Sequence, residues 1–351
     1  MNLKKTLTLG LLLLSCTIAN AHDFVVTLDG QKVYFNILSK KDKTVEVTYN
    51  GSISKKQPTY IDGELTIPAK VKHDNIVYSV VGISAKAFSG ADKLTSIVMP
   101  MGMTMIGDFA FEGCISLNKV IFPGNTIKFG QGVFYKCNKI QNVSFGSDWK
   151  KIDLKVFRWS DSLTVVNIPA KIEKIQNMKS LKNIESISVD INNERFSSID
   201  GILYNKSQDI VYGCPRAYKG NVKIVNGVET INSGAFIDCK EITRIDLPAS
   251  ITTMSFREFS RIVGLKEIIF RSERPIFTAK KEGKEVMVLQ VANPTVEIIV
   301  PKQAKNAYKE ALNQITGEYT ELNDSIPYTV ETSKMPSIKN IVGVKNFNKY
   351  E

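Results

Sequence analysis

The stretch IGDFAFEGCISLNKVIFP, residues 106–123, is followed 23 residues later by FGQGVFYKCNKIQNVSFG, residues 129–146, and the two align without a gap. The same step carries outward in both directions. Phe88, Phe111, Phe134 and Phe157 share one column, which Phe236 and Phe259 resume further on. A second column runs Ile83, Ile106, Phe129, Ile152, Ile231 and Met254, and a third Leu94, Leu117, Ile140, Leu163, Ile242 and Leu265. Two more follow: Ile97, Val120, Val143, Val166, Ile245 and Ile268, then Met99, Phe122, Phe145, Ile168, Leu247 and Phe270. Proline closes the unit at Pro100, Pro123, Pro169 and Pro248.

A fixed period of this length marks a repeat architecture. The alternation before the proline sends two side chains inward and leaves those between them outward, as a short strand requires. Proline cannot donate to a ladder, so it ends the strand and turns the chain. The earlier Ala-Phe-x-x-Cys part suits a helical or 3₁₀ turn on the opposite side of the coil. Ordering 23 residues costs about 35 kcal/mol, which needs on the order of 1,400 Å² of apolar burial. A lone coil cannot bury that much; stacked coils can, because each covers its neighbours' flat faces. The expectation is a β-rich solenoid.

The unit resembles that of the BspA-type leucine-rich-repeat surface proteins of bacteria. Ile106-Gly107, Ala110-Phe111, Cys114, Leu117, Val120, Phe122 and Pro123 carry the likeness, which extends over about residues 22–322. Proline stands where the commonest leucine-rich unit has asparagine. The resemblance implies a right-handed coil of about 23-residue turns, capped at both ends, with adhesion or interaction roles at the cell surface.

The fifth coil is two residues short at Ile184, Ile187 and Val189, and an insertion precedes the sixth. Within it, the run from Phe196 to Lys206 and the run Ile210–Pro215 read as a hairpin closed by Lys206-Ser207-Gln208-Asp209. The division expected is a leader over 1–21, a β-rich N-terminal cap over 22–72, the solenoid over 73–272 with the insertion near 191–221, a C-terminal cap over 273–322, and a loose tail over 323–351. Within the C-terminal cap Lys305 to Leu312 reads as a helix, and Tyr308 resembles the aromatic of the family's C-terminal cap.

Lys4 and Lys5, the apolar run Leu7–Leu14 and the small residues Ala19 and Ala21 read as an export signal, with the mature chain starting at His22. Leu13-Leu14-Ser15-Cys16 also resembles a lipoprotein box, which would place an acyl anchor on Cys16. The preferred reading is cleavage and export, to the medium, the periplasm or the cell surface. No later stretch is apolar for long enough to span a bilayer.

Chemistry is sparse. His22 and His73 are the only histidines, so a multi-histidine zinc site is excluded, and no base is placed to activate a nucleophile. His73 reads as a turn residue. Cys114, Cys137 and Cys239 occupy a column shared with Ala91, Ser160 and Ile262, which favours small buried side chains with free thiols, although a Cys114–Cys137 bridge between coils stays open. Neither a phosphate loop nor a dinucleotide fingerprint is present. No catalytic residue, metal ligand or cofactor site is assigned. The net charge is +11, or +9 without Lys4 and Lys5. It suits solubility or attraction to acidic polymers, and export argues against nucleic acid.

One extended surface follows from the period, the outward strand positions. These are Ser96 and Val98, Lys119 and Ile121, Asn142 and Ser144, Val165 and Asn167, then Arg244 and Asp246, and Glu267 and Ile269. Their mixed character suits protein or glycan recognition. The expected function is an exported, non-enzymatic recognition scaffold; the alternatives are a carboxylate-dependent hydrolase of an extracellular polymer and a purely structural envelope protein.

Overall fold

The computed structural model describes residues 22–51, 61–255, 257–313, 318–321, 327–329, 341–345 and 347–350. The leader and Cys16 lie outside them.

The 23-residue step becomes hydrogen-bonded register. Ser96 pairs with Lys119 and Lys119 with Asn142; Val98 pairs with Ile121 and Ile121 with Ser144, all in parallel strands. Further along, Ile242–Leu247, Glu267–Phe270 and Glu297–Pro301 stack in the same sense. A second, shorter ladder runs along another edge of the coil, joining Ile76–Ile83 to Met105–Ile106 and Lys128–Phe129. On the turn side the backbones also bond from coil to coil, Phe88 N–H to the Ala110 carbonyl at 2.8 Å and Phe111 N–H to the Val133 carbonyl at 2.9 Å. That side winds into 3₁₀ helix at Leu154–Phe157 and Met178–Ser180; the corresponding turns at 85–90 and 108–113 are hydrogen-bonded turns instead.

The column of phenylalanines is the axis of the core. Phe88 stacks on Phe111 with ring centres 5.1 Å apart, Phe111 on Phe134 at 5.3 Å, and Phe134 on Phe157 at 5.3 Å, all within 16° of parallel. Identical steps put identical rings at one height in each coil, and offset stacking of that kind adds about 0.5–1.5 kcal/mol per pair beyond burial.

The insertion partitions this core. Its first run, read as one strand from the sequence, is itself a hairpin. Phe196–Ile199 turns through Asp200 and Gly201, both at positive φ, and pairs antiparallel with Ile202–Asn205. Asp-Gly is the pair that a two-residue hairpin turn of this hand requires. Ile202–Asn205 then pairs with Ile210–Gly213, as expected. Alternation along Ile202–Asn205 sends Leu203 into the apolar cluster of the preceding coils, and Ile202 and Tyr204 into that of the following ones. All three are at most 2% exposed, so the strand is a wall wetted on neither face.

At the N-terminal end Phe24–Leu28, Gln31–Ser39 and Thr44–Thr48 form an antiparallel meander, and Thr44–Thr48 joins the short ladder by pairing parallel with Ile76–Ile83. Phe35, Val45 and Val47 enter the same apolar cluster as the first coils. His73 ends the strand Lys70–His73, just before a turn through Asp74 and Asn75, and its ring stacks on Phe24 at 4.2 Å.

At the other end the helix Lys305–Asn313 follows the last regular strand, and the Tyr308 hydroxyl donates toward the carbonyls of Ser272 at 3.2 Å and Arg274 at 3.1 Å. The loose tail expected over 323–351 is not what the described part of that segment shows. Ile341–Val344 adds a parallel strand to Glu297–Pro301, and Pro327–Thr329 pairs with Glu318–Glu321. The last coil would otherwise leave a row of open N–H and C=O groups, and a strand edge is stabilised by covering it. The tail does so without the 23-residue step, which is why the period did not reveal it.

Both ladders break at one level. Lys128–Phe129 bonds only backwards and Lys151–Asp153 only forwards, and the same holds for Asn142–Ser144 and Val165–Ile168. Gly146 and Trp149 lie at that level. Gly146 replaces the proline of the other coils, and a Cβ there would lie 1.8 Å from the Pro123 carbonyl oxygen, so the coils pinch together at that corner. Trp149 takes the core place that Met103 and Ile172 hold in other coils, packs with Phe122, Phe129 and Phe145, and donates its Nε1–H to the Pro123 carbonyl at 2.9 Å. The ring thus lies beside this close approach, at the level where the two ladders part, while Phe134 and Phe157 stay stacked across it at 5.3 Å.

Candidate functional site

The outward strand positions do not form one ribbon. Lys119, Asn142 and Ser144 are exposed and Val98 and Ile121 half-buried on one bonded ladder. Ser96 is 3% exposed, flanked in register by Glu64 and Lys119. Val165 and Asn167 are exposed but sit across the break. Beyond the insertion the reading fails for a different reason: the face is occupied. Ile269 and Ile299 are fully buried in a small apolar cluster with Tyr350, against which Val342, Val344 and Phe347 pack. The Arg244 guanidinium lies 5.2 Å from the Tyr350 ring centre and pairs with Glu267. Asp246 is 3% exposed and held bidentately by Arg271, both oxygens at 2.8 Å. Arg244, Asp246, Glu267 and Ile269 are therefore engaged within the fold, beside Val342, Val344, Phe347 and Tyr350.

The break opens a groove on the turn side, with a volume of about 800 Å³. Three successive coils each contribute one aromatic ring: Phe109, Tyr135 and Trp159. The rings meet edge to face, Phe109 with Tyr135 at 6.3 Å and 82°, Tyr135 with Trp159 at 5.1 Å and 83°. Lys128, Lys151, Lys155 and Arg158 line the same groove and are exposed. Arg158 rests 4.9 Å over the Trp159 ring. The acid among the lining residues is Asp153, whose Oδ1 accepts from the Lys155 N–H at 3.0 Å and from Asn177 Nδ2 at 2.8 Å. The rings escape sequence reading because they stand at three different offsets from the phenylalanine column. Lys128, Lys151 and Lys174 do share a column at the 23-residue step, a signal that could have pointed here.

A hydrolytic carboxyl would need a raised pKa and access. Glu258 has the first without the second. Burial pushes it up to about 7, against the pull of backbone N–H groups and of Lys179. Its oxygens accept from Gly234 N–H at 2.9 Å and Phe236 N–H at 2.8 Å, and the residue is 2% exposed. It caps the turn of the preceding coil. Because the folded chain holds this proton up to about pH 7 and the unfolded chain releases it near 4.5, stability is greatest below 4.5 and falls as pH rises through that window. The expected loss between pH 5 and pH 8 is about 3 kcal/mol. Thermal melts of Glu258→Gln should lack this component whatever their absolute midpoint; an unchanged difference from parent between the two pH values would show that Glu258 does not titrate there.

The four described cysteines are free and buried. Cys114 Sγ donates to the Phe88 carbonyl at 3.2 Å and Cys137 Sγ to the Phe111 carbonyl at 2.9 Å. The Cys137 side chain and burial hold the Cys114 thiol well above its ordinary range, and burial does the same for Cys214. Neither thiol is poised as a nucleophile. Among the described residues no cluster of metal-ligating side chains occurs, and no helix is long and apolar enough to cross a membrane.

The repeating geometry has a counterpart in known proteins. The family model for the BspA type leucine rich repeat region matches in six copies, over residues 80–211 and 212–280. The chain belongs to this family. The fold is therefore that of a β-rich leucine-rich-repeat solenoid. Solved structures similar to it include the pneumococcal vaccine antigen PcpA, at 16% identity and a TM-score of 0.43, covering 93% of this chain and 100% of that one. A leucine-rich-repeat protein from Bacteroides ovatus is 19% identical, with a TM-score of 0.43 and coverage of 82% and 81%. A leucine rich cell surface protein from Faecalibacterium prausnitzii is 17% identical, with a TM-score of 0.41 and coverage of 80% and 89%. No curated protein sequence matches significantly.

Proposed function

We propose that this BspA-type chain is an exported, non-enzymatic recognition scaffold that adheres to extracellular protein or glycan at the bacterial cell surface. The observation that carries the reading is the open section of the strand face. Lys119, Ile121, Asn142 and Ser144 stand on adjacent bonded strands, exposed or half-buried, and differ from coil to coil while the columns beneath them stay apolar. A scaffold that keeps its interior constant and varies its outer row can acquire specificity without cost to stability. Family membership supports the scaffold role, and the leader-like segment supports export.

The test uses the purified chain from His22 onward, screened against matrix proteins and glycan arrays. Saturable binding is expected, reduced at least tenfold by Lys119→Glu together with Asn142→Glu, with circular dichroism unchanged. Binding indifferent to that pair, or turnover of any peptide or polysaccharide by the purified chain, overturns the reading.

A further inference from the structure

We propose that the groove between the third and fourth coils is a binding site for acidic glycan, a short run of sugars bearing carboxylate or sulfate groups. It is separate from the strand face and rests on the recognition reading only in placing the chain where such polymers occur.

Three features point to that chemistry together. The first is an unbalanced set of cations. Lys128, Lys151, Lys155 and Arg158 line one cavity, and none of the four has a salt bridge among the described residues, whereas Lys150 and Lys171 nearby are paired to Glu173 and Asp148. Lys151 also faces Lys174 directly across a parallel pair. Like charges opposite one another destabilise a sheet, and an anion in the groove relieves that. Asp153, the acid of the lining, is engaged by Lys155 N–H and Asn177.

The second is the aromatic set. Trp159 is 36% exposed, with Arg158 4.9 Å over one face of its ring, so the indole is partly open to solvent beside charged groups. A pyranose ring has one face of C–H groups that covers an indole while its hydroxyls and acidic substituents stay at the rim. The third is the way the rings are turned. Tyr135 stands at 82° to Phe109 and 83° to Trp159, so no row of parallel faces is offered for successive nucleobases to stack upon. Sugars present polar edges and apolar faces in alternation, and a row of rings turned alternately through a right angle meets both. The cavity is within the range of sites that enclose small ligands, enough for a few sugar units.

The two tryptophans make the site directly measurable. Both tryptophans line the groove, Trp149 1% and Trp159 36% exposed, so a ligand-induced fluorescence change is assigned to Trp159 by its loss in Trp159→Ala. The chain is titrated at low and at physiological salt with an oligogalacturonate hexamer and a heparin-derived hexasaccharide. Neutral maltohexaose, a thymidine oligonucleotide and a glutamate hexapeptide serve as comparisons. Saturable quenching by at least one acidic sugar is expected, at least tenfold tighter than by the three comparisons and weakening with salt. Lys151→Glu with Lys155→Glu should lower that affinity at least tenfold, and Trp159→Ala should abolish the signal and weaken calorimetric binding, each with a parental melting temperature. Equal response to maltohexaose, tighter binding of the oligonucleotide or peptide, absence of saturation, or affinity unchanged in the groove variants overturns the proposal. The strand-face pair Lys119→Glu and Asn142→Glu is measured alongside. Acidic-sugar binding lost there but retained in the groove variants refutes the groove and leaves the strand-face reading standing, while the reverse pattern refutes only the latter.

Discussion

Phe134→Asp unfolds the coils before the insertion and leaves those after it folded. Phe134 is fully buried, stacked between Phe111 and Phe157 at 5.3 Å on either side. Truncating a buried phenylalanine costs about 3–5 kcal/mol, and a carboxylate in that column adds several more because nothing apolar can pair with it. The damage is shared by two interfaces, since each coil is stabilised only by its neighbours. It stops at the wall formed by Ile202–Asn205, which separates the apolar cluster containing Phe134 from the one containing Phe236 and Phe259. Urea titration should therefore show the first transition shifted to very low denaturant or absent, with a second transition near its parental midpoint. Proteolysis should release a fragment beginning near the insertion. Phe134→Leu, which keeps an apolar side chain there, should cost far less. A single transition at the parental midpoint would mean that the phenylalanine column is not interior.

What could be read from the sequence is what the stride repeats. Phe88, Phe111, Phe134 and Phe157 recur because each meets the same surroundings one coil along, and a common environment leaves a common residue. Strand register, core columns and the closing prolines were legible for that reason, as was the hairpin at Lys206–Asp209. Features that occur once leave no such trace. Trp149 and Gly146, which lie where the ladders part, each occur once in their columns. Phe109, Tyr135 and Trp159 meet edge to face from three unlike offsets, so no single column carries them. The tail was misread since Ile341–Val344 is determined by the edge it covers, not by a period. Part of the outward row was misassigned on the same account: alternation tells which way a side chain points, but not what later folds over it.

Asp246 shows how far that distinction reaches. As an outward strand residue it would be a surface carboxylate, and its removal would change binding and little else. In the structure it is 3% exposed, with both oxygens 2.8 Å from Arg271, whose guanidinium in turn lies 5.0 Å from the Phe347 ring centre. Removing one partner of a buried, bidentate pair takes both charge-assisted hydrogen bonds from the other, at a cost of about 3–5 kcal/mol. Asp246→Ala should therefore lower the stability of the C-terminal coils by that amount, whereas Asp148→Ala should cost less than about 1 kcal/mol. Asp148 meets Lys171 at 2.6 Å, a shorter contact, but with side chains 57% and 61% exposed, where water screens the attraction. The double variant Asp246→Leu with Arg271→Leu should recover part of the loss, because it removes both charges of the pair together. Denaturant melts of the three variants decide the matter. Equal, small effects at Asp246 and Asp148 would mean that Asp246 faces water and that Phe347 and Tyr350 do not cover this end of the strand face.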